Sequence, residues 1–262
     1  MTRESISFDP VAAIYDQTRA LPPSVTDAVV RAIVERCGRG LYLELGAGTG
    51  RIGMPIVEMG IRYTGVDISE AMLAAFRQKL RFGDREADLI RADAARLPLP
   101  DASFDTVLVV HVLHLVPDAR QVLREGMRVL RRPGIVALGR NDDTAGSVTN
   151  QMRGRWREIL ADLGSPSRRD GLSAYEGAIQ FLEGMGAEVR QDVVAEWTRE
   201  VKPRELLDLY RNRVVSESWP VPDEVLSESV RKLEREAERE YGDLDRHIET
   251  PASFCLATAR LD

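Results

Sequence analysis

The chain has 262 residues, 44% hydrophobic and 30% charged, a balance that excludes a disordered chain and suits one large α/β domain, with or without a smaller subdomain. The net charge of -6 argues against nucleic acid as a partner, and the two cysteines, Cys37 and Cys255, form no pattern typical of a disulfide framework or a metal site. No apolar run approaches the roughly 20 residues of a membrane span and the start is too polar for a signal peptide, so we expect a cytoplasmic protein with no membrane partner.

The first 140 residues alternate between apolar runs and amphipathic segments. Two helices are predicted first, a short one over 11–18 and a longer one that begins at a Ser24 cap. The apolar runs predict strands at 41–45, 61–66, 88–91, 106–110 and 135–139, and the amphipathic segments predict helices at 51–59, 70–80 and 119–130. The fifth of these strands, at 135–139, is short and unbroken in apolar character, as expected for a parallel sheet that is covered on both faces. The pattern therefore predicts a doubly wound α/β sheet.

Beyond residue 140 this alternation stops. A polar stretch at 141–146 comes first. It is followed by predicted helices at 151–163, 173–185, 203–212 and 222–241, a predicted strand at 187–200 and a closing strand at 254–259. The second half of the chain is therefore predicted to add helices to the sheet rather than to continue it.

Glycines follow the first predicted strand and open the next helix. Gly46, Gly48 and Gly50 bring backbone N–H groups and the positive end of a helix to a ligand, with no Cβ atoms in the way. The segment from Gly48 to Gly53 also fits the GxGxxG pattern, and an aspartate follows at about the spacing of a dinucleotide fingerprint. The glycines alone therefore leave a dinucleotide and a methyl donor open.

Two carboxylates separate these alternatives. Glu44 stands at the end of the first strand, where an acid suits a cationic ligand, an ammonium or a sulfonium, better than a pyrophosphate. Asp67 ends the second strand, where a carboxylate accepts both hydroxyls of a ribose. Ser69 is the better N-cap for the next helix, with Met72 three residues later. These positions favour a nucleoside ligand with a positive charge.

Four sequence blocks resemble, in order, the motifs of the class I S-adenosylmethionine-dependent methyltransferases, in particular their small-molecule branch with the ubiquinone-biosynthesis-like enzymes. The blocks are Leu43–Gly50 (LELGAGTG), Gly65–Ser69 (GVDIS), Ala92–Pro100 leading to Ser103–Val107, and Leu130–Val136 (LRRPGIV). Together they span about residues 41 to 139. Four ordered blocks are far more specific than the glycine pattern.

The resemblance implies a set of residues around S-adenosylmethionine. It assigns the methionine part to Glu44 and the loop with Gly46, Ala47, Gly48 and Gly50, and the methionyl amine to the backbone of Val110 and His111. It assigns the ribose to Asp67, the adenine face to Ile68 and Met72, and the adenine edge to Asp93 and Ala94. The segment Ala12–Arg19 resembles one that closes over the donor, so Tyr15 and Arg19 join the expected binding residues.

The resemblance also implies a fold: a Rossmann-like doubly wound seven-stranded sheet in the order 3-2-1-4-5-7-6, with strand 7 antiparallel and a helical cap. The expected domains are 1–140 (N-terminal helices and cofactor-binding core), 141–172 (cap insertion), 173–199 (core helix and strand), 200–248 (helical cap insertion) and 249–262 (final core strand). The choice of a small-molecule acceptor is expected to reside in the two insertions.

Methyl transfer is an in-line displacement, and a hydroxyl acceptor needs a base. His111, just past the fourth predicted strand, is the candidate catalytic residue, whereas His114 in an apolar run is interpreted as structural. Residues 141–143 (NDD) are interpreted as a polar turn rather than a Mg²⁺ site, because the fourth strand does not end in a companion acid. No metal is predicted.

Two other functions stay open on the sequence alone. The GxGxxG overlap keeps an NAD-dependent oxidoreductase as the alternative. A non-catalytic protein that binds the nucleoside ligand on the same fold is the third hypothesis. The sequence does not indicate the identity of the acceptor or the oligomeric state.

Overall fold

The computed structural model describes residues 7, 9, 16, 20–143, 146–166 and 171–262. The predicted helix over 11–18 lies outside these residues except for Asp16, and so do Tyr15 and Arg19. The chain divides into two units. Unit 1 comprises Met1–Arg140, Gly171–Ala195 and Phe254–Asp262, and unit 2 comprises Asn141–Asp170 and Glu196–Ser253.

The sheet has seven strands in the order β3-β2-β1-β4-β5-β7-β6, with β7 antiparallel, and this confirms the predicted fold class. The strands are β1 (Tyr42–Leu45), β2 (Tyr63–Asp67), β3 (Asp88–Arg91), β4 (Phe104–Val110), β5 (Leu130–Asp143), β6 (Glu188–Val201) and β7 (Ile248–Leu261).

The central strands are buried along almost their whole length. All four residues of β1 are buried, as expected for a parallel strand covered on both faces. Leu45 at the end of β1 pairs with Val66 on β2 and with Val109 on β4. Because the three strands are parallel and in this register, the loops that follow them lie at one edge of the sheet. That edge carries the glycine loop, Asp67 and His111.

The helices of unit 1 cover the sheet. They are α1 (Pro23–Cys37), α2 (Gly53–Glu58), α3 (Glu70–Phe82), α4 (Ala119–Val129) and α6 (Gly171–Gly184). The predicted Ser24 cap is wrong, because α1 begins one residue earlier and Pro22 occupies the N-cap position without a side-chain hydrogen bond. Proline at the first helical position already has its φ fixed near the helical value. Its missing N–H costs nothing there, because that N–H would have no acceptor within the helix. The Ser69 cap of α3 is confirmed, since its Oγ accepts from the Met72 N–H at 3.1 Å.

Strand β5 is longer than predicted. Helix α4 ends at Val129 and the strand begins at Leu130, which pairs with Phe104 before a register shift in the ladder. Pro133 and Gly134 fall in that irregular segment. A bulge tolerates proline because the missing N–H leaves no ladder bond broken.

Unit 2 consists mainly of α5 (Val148–Asp162), α7 (Pro203–Arg211) and α8 (Asp223–Tyr241). Trp156 is fully buried at its centre, stacks on Tyr210 with ring centroids 4.2 Å apart, and donates its indole N–H to Ser229 Oγ at 3.1 Å. Both aromatic side chains are therefore core residues of this unit. Among the described helices of the chain, none combines the length and the apolar character that crossing a membrane requires.

Candidate functional site

The loop after β1 needs glycine at several positions for different reasons. Gly46, Gly48 and Gly50 all have positive φ angles of 77°, 55° and 79°. A Cβ on Gly50 would lie 2.3 Å from the ring of Phe76, so this glycine permits close packing of the loop on α3. A Cβ on Gly48 would meet nothing within 4 Å, although Gly48 lines a cavity. Gly48 thus leaves its backbone open to a ligand.

Asp67 is fixed by the backbone around it. Its Oδ2 accepts from the Gly48 N–H and its Oδ1 accepts from the Ser69 N–H, both at 2.8 Å. Burial raises the pKa of this carboxyl above its ordinary value, and the two N–H bonds oppose that rise. Each oxygen keeps acceptor capacity beyond the bond it makes, so the carboxylate suits a pair of neighbouring hydroxyl groups.

A cavity opens at this edge of the sheet. It is lined by Gly46, Gly48, Val66, Asp67, Ile68, Met72, Ala92, Asp93, Ala94, Val110, His111, Val112, Leu115 and Val116. Nine of these are residues expected from the sequence to bind the cofactor, brought together from four segments of the chain. The apolar residues after β4 that line it, Val112, Leu115 and Val116, were not expected. The sequence signal for them was the apolar run that contains His114.

Glu44 occupies a different place from the one expected. The side chain does not line the cavity; it is buried and accepts a hydrogen bond from the Tyr63 hydroxyl. Glu44 pairs with Gly65, so Tyr63 is its diagonal neighbour on the same face of the sheet. A Cβ on Gly53 would lie 2.3 Å from the Tyr63 hydroxyl, so glycine there makes room for the pair.

Burial raises the pKa of Glu44 to about 8, although the bond from Tyr63 lowers it. The carboxyl therefore retains its proton near neutral pH, and the charge argument for a cationic ligand applies only to its ionised form. Ala47 and Gly50 also stand outside the lining of the cavity. Their roles, like that of Glu44, stay predictions.

His111 stands in the lining with an unusual backbone. Its φ angle is +56°, in the left-handed region that non-glycine residues rarely occupy, and its N–H donates to the Gly139 carbonyl at 3.3 Å. Its ring meets the ring of Phe254 edge to face, with centroids 6.3 Å apart. Such backbone strain concentrates at functional sites, because the surrounding structure must hold it in place.

Two N-terminal aspartates contact the glycine loop and the start of α3. Asp16 accepts from Thr49 Oγ1 at 2.6 Å and pairs with Lys79 at 2.6 Å. Asp9 accepts from Ser69 Oγ at 2.5 Å. Asp16 belongs to the segment Ala12–Arg19, in which the resemblance implied Tyr15 and Arg19 as binding residues. Both of these lie outside the described residues. Asp16 thus contacts the glycine loop, and Asp9 contacts the N-cap of α3.

Comparison with known proteins adds an independent line of evidence. A family model for a methyltransferase domain matches residues 43–138. A demethylmenaquinone methyltransferase from Clavibacter sepedonicus is 30% identical over 201 residues, which cover 74% of this chain and 80% of that protein. An uncharacterized methyltransferase from Mycobacterium bovis is 31% identical over 210 residues, covering 80% of this chain and 77% of that protein.

The structure of the YcgJ protein from Bacillus subtilis has a TM-score of 0.59 at 16% identity and covers 90% of this chain and 97% of that one. This likeness shows the shared fold. The sequence matches cover 80% and 77% of the two relatives, and both of these are named as methyltransferases. The chain belongs to the class I S-adenosylmethionine-dependent methyltransferases of the small-molecule type.

Proposed function

We propose that this chain binds S-adenosylmethionine in the cavity at the glycine loop and transfers its methyl group to a small-molecule acceptor by direct in-line displacement. The observation that carries the proposal is the arrangement of Asp67 and Gly48. A carboxylate held by two backbone N–H groups faces a cavity beside a glycine whose missing Cβ leaves the loop open. This combination fits a ribose next to a charged methionine chain.

Each part of the cavity suits one part of that cofactor. Asp67 accepts the ribose hydroxyls, Ile68 and Met72 cover the adenine, and Asp93 with Ala94 meets its edge. The backbone N–H and carbonyl groups of the glycine loop and of Val110–His111 form hydrogen bonds with the methionine part of the cofactor. Tyr15 and Arg19 complete the proposed set together with Glu44, although the Glu44 carboxyl is buried against Tyr63 and retains its proton near neutral pH.

S-adenosylmethionine supplies an electrophilic methyl group on a sulfonium when it is bound. What the chain supplies is alignment of the acceptor and exclusion of water, which the apolar residues Val112, Leu115 and Val116 promote. His111, in the same lining, takes the proton from a hydroxyl acceptor as general base.

The class of acceptor is proposed from the relatives. One of them is named for a demethylmenaquinone, a small molecule rather than a nucleic acid or protein. We propose that acceptor choice resides in the segments 141–172 and 200–248 and that the protein acts in the cytoplasm.

Calorimetry tests cofactor binding with S-adenosylhomocysteine and, in parallel, NADH. We expect binding of S-adenosylhomocysteine, and binding of NADH alone would overturn the proposal in favour of an oxidoreductase. Asp67→Ala should weaken S-adenosylhomocysteine binding by about tenfold or more, because hydrogen bonds to a charged group are lost. Asp88→Ala, an exposed carboxylate at the start of β3, is the matched control and should bind normally.

Catalysis is tested separately with a radiolabelled methyl donor and a small-molecule extract. Label should enter a small molecule, and His111→Asn should lower kcat while S-adenosylhomocysteine affinity falls by a smaller factor. Binding without any labelled acceptor across extracts would support the non-catalytic alternative.

A further inference from the structure

A second groove of unit 1 lies at the edge of the sheet opposite the cofactor cavity. Arg62 directly precedes β2, and Asp88 is the first residue of β3, so the groove lies where these parallel strands begin. Its other wall is the second half of α3 with the loop that follows it. The groove is lined by Leu41, Arg62, Tyr63, Arg77, Leu80, Arg81, Arg85, Glu86, Ala87 and Asp88. We call it the arginine groove, after its four arginines.

The arginine groove has the size and the composition of a ligand site. Its volume is about 630 Å³, and small-molecule sites typically have volumes of about 300–1,000 Å³. Tyr63 and Leu80 are buried and form its floor, whereas Arg81 and Arg85 are exposed and belong to its rim. An apolar floor with a few charged groups around it is the common arrangement of such sites.

Two arginines of the groove have unused donors. Within the part of the chain that the structure describes, Arg81 and Arg85 make neither an ion pair nor a side-chain hydrogen bond. This holds although Glu86 and Asp88 line the same groove. Each guanidinium group carries five N–H donors and no acceptor. The donors of both arginines are therefore available to an anionic ligand.

The other two arginines add positive charge. Arg77 pairs at 2.6 Å with Glu70, which does not line the groove. Arg62 makes no ion pair among the described residues, and it attracts Asp105 only at longer range, since that carboxylate pairs with Arg131. Within the lining, four guanidinium groups stand against two carboxylates. This net charge exceeds the partial negative charge, about half a unit, at the end of α3.

The spacing of the arginines favours phosphate over a carboxylate. Arg77 and Arg81 are four residues apart and share one side of α3, and Arg85 follows just beyond the end of the helix. A phosphate group has three terminal oxygens and nearly two negative charges, so it accepts from several guanidinium groups at once. A carboxylate has one charge and fits a single bidentate arginine.

A phosphate group can belong to a soluble molecule or to a lipid headgroup. Phe82, which is 82% exposed beside Arg81, would suit a membrane surface. Phe82 does not line the groove, however, and an anionic membrane would repel Glu86 and Asp88, which do. A concave groove with a buried floor also fits a small molecule better than a flat bilayer. These observations favour the soluble molecule.

We propose that the arginine groove is a second ligand site, which binds a soluble small molecule with a phosphate group on an apolar body. Arg81 and Arg85 bind the phosphate, and the apolar body covers Tyr63 and Leu80. The site goes beyond the proposed function, since none of the residues that line the groove lines the cofactor cavity.

Phenyl phosphate is the probe, because it joins a phosphate to an apolar ring. Calorimetry on the full chain at constant ionic strength should show saturable binding, tighter than that of inorganic phosphate. Arg81→Gln and Arg85→Gln should each weaken it by about tenfold or more, because hydrogen bonds to a charged group are lost, and Arg85→Lys should restore part of it. Arg31→Gln removes the same charge from an exposed position of α1 outside the groove and should bind like the wild type. Equal affinity in all variants would overturn the site.

Two further measurements test where the probe binds and what carries the phosphate. With saturating S-adenosylhomocysteine the probe should still bind, and its displacement would overturn a separate site. Phosphatidylglycerol vesicles should not sediment the chain, and sedimentation that Arg85→Gln abolishes would overturn the soluble ligand in favour of a membrane surface. If S-adenosylhomocysteine itself does not bind, the proposed function fails, while the comparison of Arg85→Gln with Arg31→Gln still tests the groove.

Discussion

The cavity of unit 1 and the ion pairs of unit 2 hold their charged groups in different ways. Around Asp67 the cavity is organised by main-chain groups, since the N–H groups of Gly48 and Ser69 fix the carboxylate. In unit 2, the long side chains of Arg153 and Arg199 pair with the Asp143 carboxylate. A backbone site needs glycines and strand ends at set spacings and so leaves a motif. A site of long side chains needs only that distant segments meet, which leaves none.

The largest expected effect tests whether the two units are energetically separate. Trp156→Ala empties the core of unit 2, where the indole is fully buried, and should cost about 3–5 kcal/mol of the free energy of unfolding. Because the residues that line the cofactor cavity all belong to unit 1, S-adenosylhomocysteine affinity should be unchanged below the unfolding transition. Urea denaturation and calorimetry on the same sample measure both quantities. A parallel loss of affinity would show that the cavity depends on unit 2.

Within unit 1, two glycines of the same loop should respond in opposite ways. Gly50→Ala places a Cβ against the Phe76 ring at positive φ and should destabilise the fold by about 2–5 kcal/mol. In Gly48→Ala the added Cβ meets no atom within 4 Å, so the positive φ alone should cost about 1–2 kcal/mol of the free energy of unfolding. The same variant should lose more free energy of S-adenosylhomocysteine binding than free energy of unfolding. Chemical denaturation and calorimetry distinguish the two. Equal effects of both variants would contradict the division of roles.

The sequence predicted the parts of this molecule that depend on local order. Asp67 ends a strand, His111 directly follows one and Gly48 lies three residues after one, so a correct strand pattern places them at one edge. The surroundings of the Glu44 carboxyl were predicted less well. Its partner Tyr63 is brought next to it by the register of β1 and β2 and not by proximity in sequence. Ser24 failed as a cap because Pro23 starts the helix earlier.

The pairing of Arg199 with Asp143 and Thr149 could not be predicted. The arginines were visible as isolated residues, and Asp143 was seen only as part of a polar turn. Their juxtaposition requires β5, α5 and β6 to meet, over separations of about 50 residues between Arg199 and its partners. No periodicity in the sequence encodes such a meeting.

A smaller effect concerns the buried acid of unit 1. The folded pKa of Glu44 is about 8 against an ordinary 4.5, so the folded state holds a proton that the unfolded chain releases in this range. Stability is therefore highest below the lower value and falls as pH rises through this window, by at most about 1.4 kcal/mol per pH unit. Glu44→Gln still accepts from Tyr63 but does not titrate. Urea midpoints across this window should fall less steeply for the variant, and parallel slopes would remove the assignment.

The smallest expected effect compares matched helix caps in the two units. Ser69 caps α3 by accepting from Met72, and Ser147 caps α5 by accepting from Asn150, both at 3.1 Å. Each alanine variant should cost about 1 kcal/mol of unfolding free energy, because one helix N–H loses its acceptor. Only Ser69 also donates to Asp9 beside the loop that follows β2, so Ser69→Ala alone should lower S-adenosylhomocysteine affinity, by a few-fold. If Ser147→Ala lowered the affinity equally, cofactor binding would depend on the order of both units.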